Sequence, residues 1–261
     1  MRRFLLVFAG LAALVILIGS CKPQANTLKI GLAGVRTGAD GQIGSTMFDG
    51  AQIAIDEWNA KGGVLGKKVD PVSRDDEGKP NQAVAVAQEL IAEGVVAVIG
   101  HFNSGCTIPA SEIYNQNHIL QITPASTNPQ VTERGFKTIF RNCGRDDQQG
   151  VVAAHYAKEK LGLTKIAVLH NKTPYGQGLA EEVRKTFTAI GGQVPVFQGV
   201  GGEEMDFRAN VSNIKSSGAQ AIFWGGMYGQ AGPLFVQLRQ AGLTIPFLSG
   251  DGVIEKQFIN T

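Results

Sequence analysis

The chain has 261 residues, 43% of them hydrophobic and 18% charged, with a formal net charge of +2. That length suits one large domain or two of about 100–150 residues, and the apolar share is enough for a packed core, which excludes wholesale disorder. A charge this close to zero also excludes the basic footprint of a nucleic-acid binder.

The chain opens on Arg2 and Arg3, then an apolar run over residues 4–18, then Gly19, Ser20 and Cys21. The run is shorter than the about 20 residues of a membrane span and matches the core of a secretory signal. Ile18-Gly19-Ser20-Cys21 resembles a bacterial lipobox, in which small residues precede a lipidated cysteine. The expectation is a lipoprotein signal peptide over 1–20 with lipid on Cys21, against an ordinary signal peptide or an uncleaved anchor. Without residues 1–20 the chain keeps 22 basic and 22 acidic residues and is formally neutral. Cys106 and Cys143 then remain, so at most one disulfide is open to it, and none is assigned.

After a polar linker over 21–27, apolar runs alternate with amphipathic ones. Residues 28–33 read as a buried strand, and 48–61 as a helix with Phe48, Ala51, Ile55 and Trp58 on one stripe. A strand follows at 68–74, a helix opened by Pro80 and closed by Gly94, and a strand at 95–100 apolar enough to be covered on both faces. A helix over 107–116 and a strand over 118–122 end the first series. The second series reads as helix 149–161, strand 165–170, helix 178–190, strand 193–198, helix 207–216, strand 219–224, helix 232–241 and strand 245–248. Strict alternation implies parallel sheets, hence an α/β fold of two doubly wound, Rossmann-like lobes of about four strands each. The expected lobes are 28–145 and 146–261, joined near 138–145.

Ligands of such sheets sit at the carboxyl ends of the strands. The loops to inspect are therefore 34–46, 101–107, 123–130, 171–178, 225–229 and 249–252, several of them rich in Gly, Ser and Thr. Catalytic apparatus is not visible: there is no Walker A loop, no G-x-S-x-G and no H-E-x-x-H, and Gly31-Leu32-Ala33-Gly34 is only a fragment of a dinucleotide fingerprint. His101, His118, His155 and His170 stand alone and read as loop or surface residues. Asp75-Asp76-Glu77 and Asp146-Asp147 read as solvated turns or caps. No metal, no cofactor and no enzymatic activity is expected.

The loops do match something known. The segments GAQIAIDEWNAKGG at 50–63, QAVAVA at 82–87, VIGH at 98–101 and PAS at 109–111 belong to one ordered set. ITPAST at 122–127, YGQGLA at 175–180, GG at 225–226 and RQAGL at 239–243 continue it. In this order they resemble the leucine/isoleucine/valine-binding proteins of bacterial ABC importers, members of the type I periplasmic binding protein family. The resemblance implies an exported binder that holds a branched-chain amino acid between its lobes. It implies delivery to a membrane permease, whose ATPase it meets only through that permease. A lipid anchor in the membrane, a monomer and no nucleic-acid partner complete the expectation.

The resemblance also implies site residues. Ser104, at the start of a helix, receives the ligand's α-carboxylate; Ala125 and Thr127 offer a carbonyl and a hydroxyl; Tyr175 closes over the carboxylate; and Asp251, where the family usually has Glu, pairs the ammonium. Ile43, Phe102, Asn103 and Met227 complete the ligand-contacting set. Ile43 and Met227 stand where tyrosines are common, Phe102 where an aliphatic residue is usual, and Gly78 and Asn103 where some members carry cysteines. Taken alone, Ser104 also reads as a helix cap, Thr127 and Asp251 as turn residues and Tyr175 as a surface aromatic. Family chains continue beyond this length to finish the first lobe, so that lobe is expected to be incomplete and binding by this chain weak. Rival readings are a binder of amides or urea or a ligand-sensing receptor domain of the same fold, and an extracytoplasmic α/β enzyme.

Overall fold

The protein's structure, a computed structural model, describes residues 27–260. The expected signal peptide, the lipidation site Cys21 and all of the linker but Thr27 lie outside the described residues, and Thr27 is already the first residue of β1. The first series runs β1 (Thr27–Gly34), α1 (Gly41–Ala60), β2 (Lys68–Asp75), α2 (Pro80–Ala92) and β3 (Ala97–Gly100). It continues through α3 (Ser104–Gln116), β4 (Leu120–Thr123), α4 (Gln130–Glu133) and β5 (Ile139–Arg141). The second runs α5 (Asp146–His155) with a π-helical extension (Tyr156–Lys160), β6 (Lys165–His170), α6 (Pro174–Ala189), β7 (Gln193–Gly199) and α7 (Arg208–Ser217). It ends with β8 (Ala221–Gly225), α8 (Tyr228–Gln240), β9 (Phe247–Ser249), a 3₁₀ turn (Asp251–Val253) and α9 (Lys256–Ile259).

Two parallel sheets result, ordered β2-β1-β3-β4-β5 and β7-β6-β8-β9. The first has a fifth strand where the sequence pointed to about four. β5 is only three residues long and carries no periodic signal, yet Ile139 pairs with Gln121 and Arg141 with Thr123. The final strand is Phe247–Ser249 rather than 245–248.

Helix starts are the larger correction. α1 begins at Gly41 rather than at 48, α3 at Ser104 rather than 107, α6 at Pro174 rather than 178, and α8 at Tyr228 rather than 232. In each case Gly, Ser or Pro read as loop forms the first helical turn at the mouth of the cleft. Gly44 shows the physical reason: a Cβ there would stand 2.0 Å from the Val35 carbonyl oxygen, so tertiary contact excludes the residues that periodicity recognises.

Both faces of the second sheet are covered. Ile166, Val168, Ala221 and Phe223 pack under Leu179, Val183 and Phe187 of α6, while Leu169, Ile222 and Trp224 pack under Val211, Leu234 and Leu238 on the opposite side. The first sheet is less even. Ala33 and Val98 are sealed by α2 and α3, and Leu32 by Met47, Phe48, Ala51 and Ile55 of α1. Ile99, Ile122 and Phe140 form one cross-strand row on α1's side of the sheet, but α1 does not reach its far end: Leu120, Ile122 and Phe140 are 39%, 37% and 51% exposed.

Four residues read as solvated or isolated are buried, His170 at the end of β6 among them. Asp76 and His101 are fully buried together, His101 Nδ1 lying 2.6 Å from Asp76 Oδ2 and Nε2 3.2 Å from the Tyr114 hydroxyl. Asp146 is also buried. Sequence displays such charges but not the partner 25 residues away that removes Asp76 from water. Cys106 and Cys143 are both free thiols, the first buried and the second half-buried.

Candidate ligand-binding cleft

The carboxyl ends of both sheets open onto one cavity of about 210 Å³. That is below the roughly 300–1,000 Å³ of sites for drug-sized molecules, so it suits a smaller ligand. From the first sheet come Phe102, Asn103 and Ser104 at the β3–α3 junction, Pro124 and Ala125 after β4, Cys143 after β5, and Ile43 from α1. The second sheet adds Tyr175 from α6, Met227 before α8, and Asp251 with Gly252 after β9. Of the expected set, only Thr127 is outside this lining; it is buried beside it, its carbonyl accepting the Asp146 N–H at 3.0 Å.

The first wall is held from behind. The Thr123 hydroxyl donates to the His101 carbonyl at 2.7 Å and accepts from the Ser126 N–H at 3.0 Å. Ser126 Oγ donates to the Phe102 carbonyl at 2.9 Å, and Arg141 donates to the Ser126 and Asn128 carbonyls at 3.1 and 2.8 Å. These bonds fix the segment carrying Phe102, Asn103 and Ser104 against that carrying Ala125 and Thr127. Ser104 is the first residue of α3, where backbone N–H groups lack intrahelical acceptors and the dipole favours an anion. Its hydroxyl accepts the Asn128 N–H at 3.3 Å and is 2% exposed as a residue.

The second wall presents a carboxylate in a fixed frame. The Tyr175 hydroxyl donates to Asp251 Oδ1 at 2.9 Å and accepts the Gly252 N–H at 2.9 Å. Gln149 Nε2 donates to Asp251 Oδ2 at 3.0 Å while its Oε1 accepts the Asp251 N–H at 3.1 Å. Burial first, and the Asp251 charge second, push the Tyr175 hydroxyl well above its ordinary pKa, so it remains a donor at neutral pH. Ile43, Phe102, Pro124 and Met227 give the cavity apolar walls between these polar ends.

The lobes touch across the opening. The Tyr228 hydroxyl donates to the Ala39 carbonyl at 2.8 Å, and Asn128 Nδ2 donates to the Pro174 carbonyl at 2.7 Å. Sequence reasoning missed Pro124, Cys143, Gly252 and the Gln149 clamp. The acidic pair at 146–147 was visible as a helix-start signal, but nothing in it showed that Asp146 would be buried near Asp251. Burial pushes the Cys143 thiol above its usual pKa, against the opposing pull of Arg141. Among the described residues, no group of three or more His, Cys, Asp or Glu side chains is arranged to hold a metal ion, and no helix is long and apolar enough to cross a membrane.

An anion-favouring helix start and a clamped carboxylate line one small cavity between two parallel-sheet lobes. The chain belongs to the periplasmic binding protein family, whose model matches residues 27–256. It is 47% identical over 233 residues to an amino acid binding protein of Pseudomonas aeruginosa, covering 89% of this chain and 62% of that protein. It is 44% identical over 257 residues to a Leu/Ile/Val-binding protein homolog of Brucella abortus, covering 98% of this chain and 68% of that one. Among solved structures, a leucine binding protein of Thermotoga maritima matches with a TM-score of 0.84 at 33% identity, over 89% of this chain and 66% of that chain. The fold is thus the expected two-lobed α/β fold of type I periplasmic binding proteins, and the chain spans about two thirds of its relatives' length.

Proposed function

We propose that the protein is the substrate-capturing component of an ABC importer and holds a branched-chain amino acid, leucine, isoleucine or valine, in the inter-lobe cleft. The observation that carries this reading is the pair of opposed polar ends, the α3 start at Ser104 and the clamped Asp251, separated by apolar walls. A zwitterion needs donors for its carboxylate and a carboxylate for its ammonium, and charge-assisted bonds to both ends fix its orientation. Support comes from a Streptococcus pneumoniae branched-chain amino acid transporter substrate binding protein, solved with isoleucine bound, which matches at 29% identity with a TM-score of 0.83 over 90% of this chain.

In this reading Ser104 and Asn103 serve the carboxylate end, while the Ala125 carbonyl and the Thr127 hydroxyl serve the ammonium and the carboxylate. Tyr175 and Asp251 act from the other lobe, and Ile43, Phe102 and Met227 wall the side chain. Closure traps the ligand, and the closed form is what the permease distinguishes; the ATPase acts through the permease. The protein turns over no substrate. It is exported, lipid-anchored at Cys21 and monomeric. The uncovered row at Ile122 and Phe140 supports a first lobe that is completed by further polypeptide. Calorimetry with leucine, isoleucine, valine and short amides tests the reading: heat with the amino acids alone is expected, and binding only of amides, or turnover of a ligand, would overturn it.

A further inference from the structure

Asp146 is buried, and no donor meets either carboxylate oxygen at full hydrogen-bond geometry, the Thr127 hydroxyl being the side-chain group that bears on it. It opens α5, directly behind the cleft wall, with its backbone N–H spent on the Thr127 carbonyl. The titratable groups around it come from every neighbouring element: Arg141 from β5, Cys143 from the loop that follows, Asp147 from α5 itself, Tyr175 from α6 and Asp251 from the 3₁₀ turn. The nearby cations are committed elsewhere. Arg141 bonds the Ser126 and Asn128 carbonyls and the Thr132 hydroxyl, and Arg145 bonds Asp147 and Glu133. Thr127 and Arg141 both favour the ionised form of Asp146, but burial outweighs them and Asp251 adds to burial, so the carboxyl is pushed up to about 7. An ionised carboxylate without donors is costly, and such a group takes up a proton instead.

Two carboxyl groups therefore lie within each other's field, Asp251 lining the cleft in a frame of donors and Asp146 behind the cleft wall without such a frame. We propose that Asp146 is a proton-linked charge selector: an α-ammonium docking beside Asp251 supplies the positive field that Asp146 lacks, and Asp146 releases its proton to water as the ligand settles. No bond to the ligand forms or breaks; the carboxyl O–H ionises and the proton leaves with the solvent. The inference rests on the amino-acid reading of the cleft.

The sign follows from linkage. Below about pH 7 Asp146 of the ligand-free protein holds the proton, and a cationic ligand end must displace it, so leucine binds more weakly. Above that pH Asp146 is already ionised and the affinity levels off. A ligand of the same shape with a hydroxyl in place of the ammonium brings only negative charge, and its affinity falls as pH rises.

Calorimetry of the wild-type chain with leucine near pH 6.5, in two buffers of different ionisation enthalpy, reads the proton directly. Leucine is expected to release a substantial fraction of one proton, and its affinity to rise about tenfold between pH 5.5 and pH 8, as one unit of pKa coupling gives. The hydroxy acid analogue, measured by competition against leucine, is expected to show the opposite trend. Asp146→Asn is expected to bind leucine without proton release and with a flatter profile. Leucine binding that exchanges no proton overturns the inference and leaves the amino-acid reading standing, and so does equal release by Asp146→Asn. No binding of leucine, isoleucine or valine at any pH overturns both. The two-buffer comparison needs only wild-type protein and decides the matter even if the variant fails to fold.

Discussion

The Tyr228 hydroxyl donates to the Ala39 carbonyl at 2.8 Å, joining the first turn of α8 in one lobe to the loop before α1 in the other. The Tyr228 ring is itself 3% exposed, so removing the oxygen deletes the link and leaves the packing. A single hydrogen bond of this kind contributes about 0.5–1.5 kcal/mol. Tyr228→Phe is therefore expected to raise the leucine Kd by about threefold to tenfold by favouring the open form. Titration calorimetry gives the Kd, and small-angle scattering of the ligand-free and ligand-saturated protein gives the degree of closure.

Asp251 is held by Tyr175 and Gln149, so its position survives loss of its charge better than most. Asp251→Asn is expected to weaken leucine binding by about tenfold to a hundredfold, from about 1.5–3 kcal/mol for a hydrogen bond to a charged group. Tyr175→Phe removes one donor to Asp251 and one acceptor for the Gly252 N–H and is expected to cost less. Both variants should melt close to the wild type, which circular dichroism would check. An unchanged Kd in Asp251→Asn would take Asp251 out of the site.

The Asp76–His101 pair is sealed from water on both sides. His101→Leu leaves Asp76 Oδ2 without its ring partner while Oδ1 keeps the Gly78 N–H at 2.8 Å. The expected loss is about 1–3 kcal/mol of stability, the cost of stranding a buried polar group. Urea denaturation gives the value. Because the His101 carbonyl is the shared acceptor of the Thr107 and Thr123 hydroxyls, ligand affinity is expected to fall with it.

Asp146 also makes stability depend on pH. Its folded pKa of about 7 lies above the about 3.9 of an unfolded aspartate. The folded chain therefore binds more protons at this site between those values, and the contribution of Asp146 to stability declines as pH rises through that window. Urea midpoints of ligand-free wild type and Asp146→Asn should diverge as pH rises from 4 to 7, the variant gaining relative to wild type. Parallel profiles would show Asp146 to be solvated.

Strand centres were legible where residues buried on both faces leave a continuous apolar run, as at Ala221 to Trp224. The equally apolar run at Val95 to Ile99, read as covered on both faces, is only partly so, with Val96 51% exposed. The mouths of the helices were not legible. The first turn of α1 carries Gly41 and Gly44 hard against the Arg36 and Val35 carbonyls, and that close approach selects residues that local propensity assigns to loops. The resemblance supplied Ser104, Tyr175 and Asp251 as candidates, and the fold brings all three to one cavity. The charges that matter most behind the site, Asp76 and Asp146, were misread because burial is a property of neighbours distant in sequence.

The unequal cover of the two sheets sets an order of local opening. With helices on both faces, the lobe of Trp224 and Phe223 is the slower to exchange its amide protons. The strands of Ile122 and Phe140, bare on one face, exchange first. Partial denaturation then takes the wall carrying Ser104 and Thr127 while Tyr175 and Asp251 keep their geometry. What survives is one wall alone: the Asp251 carboxylate in its frame of Tyr175 and Gln149, with the segment of Ser104 and Thr127 no longer fixed against it.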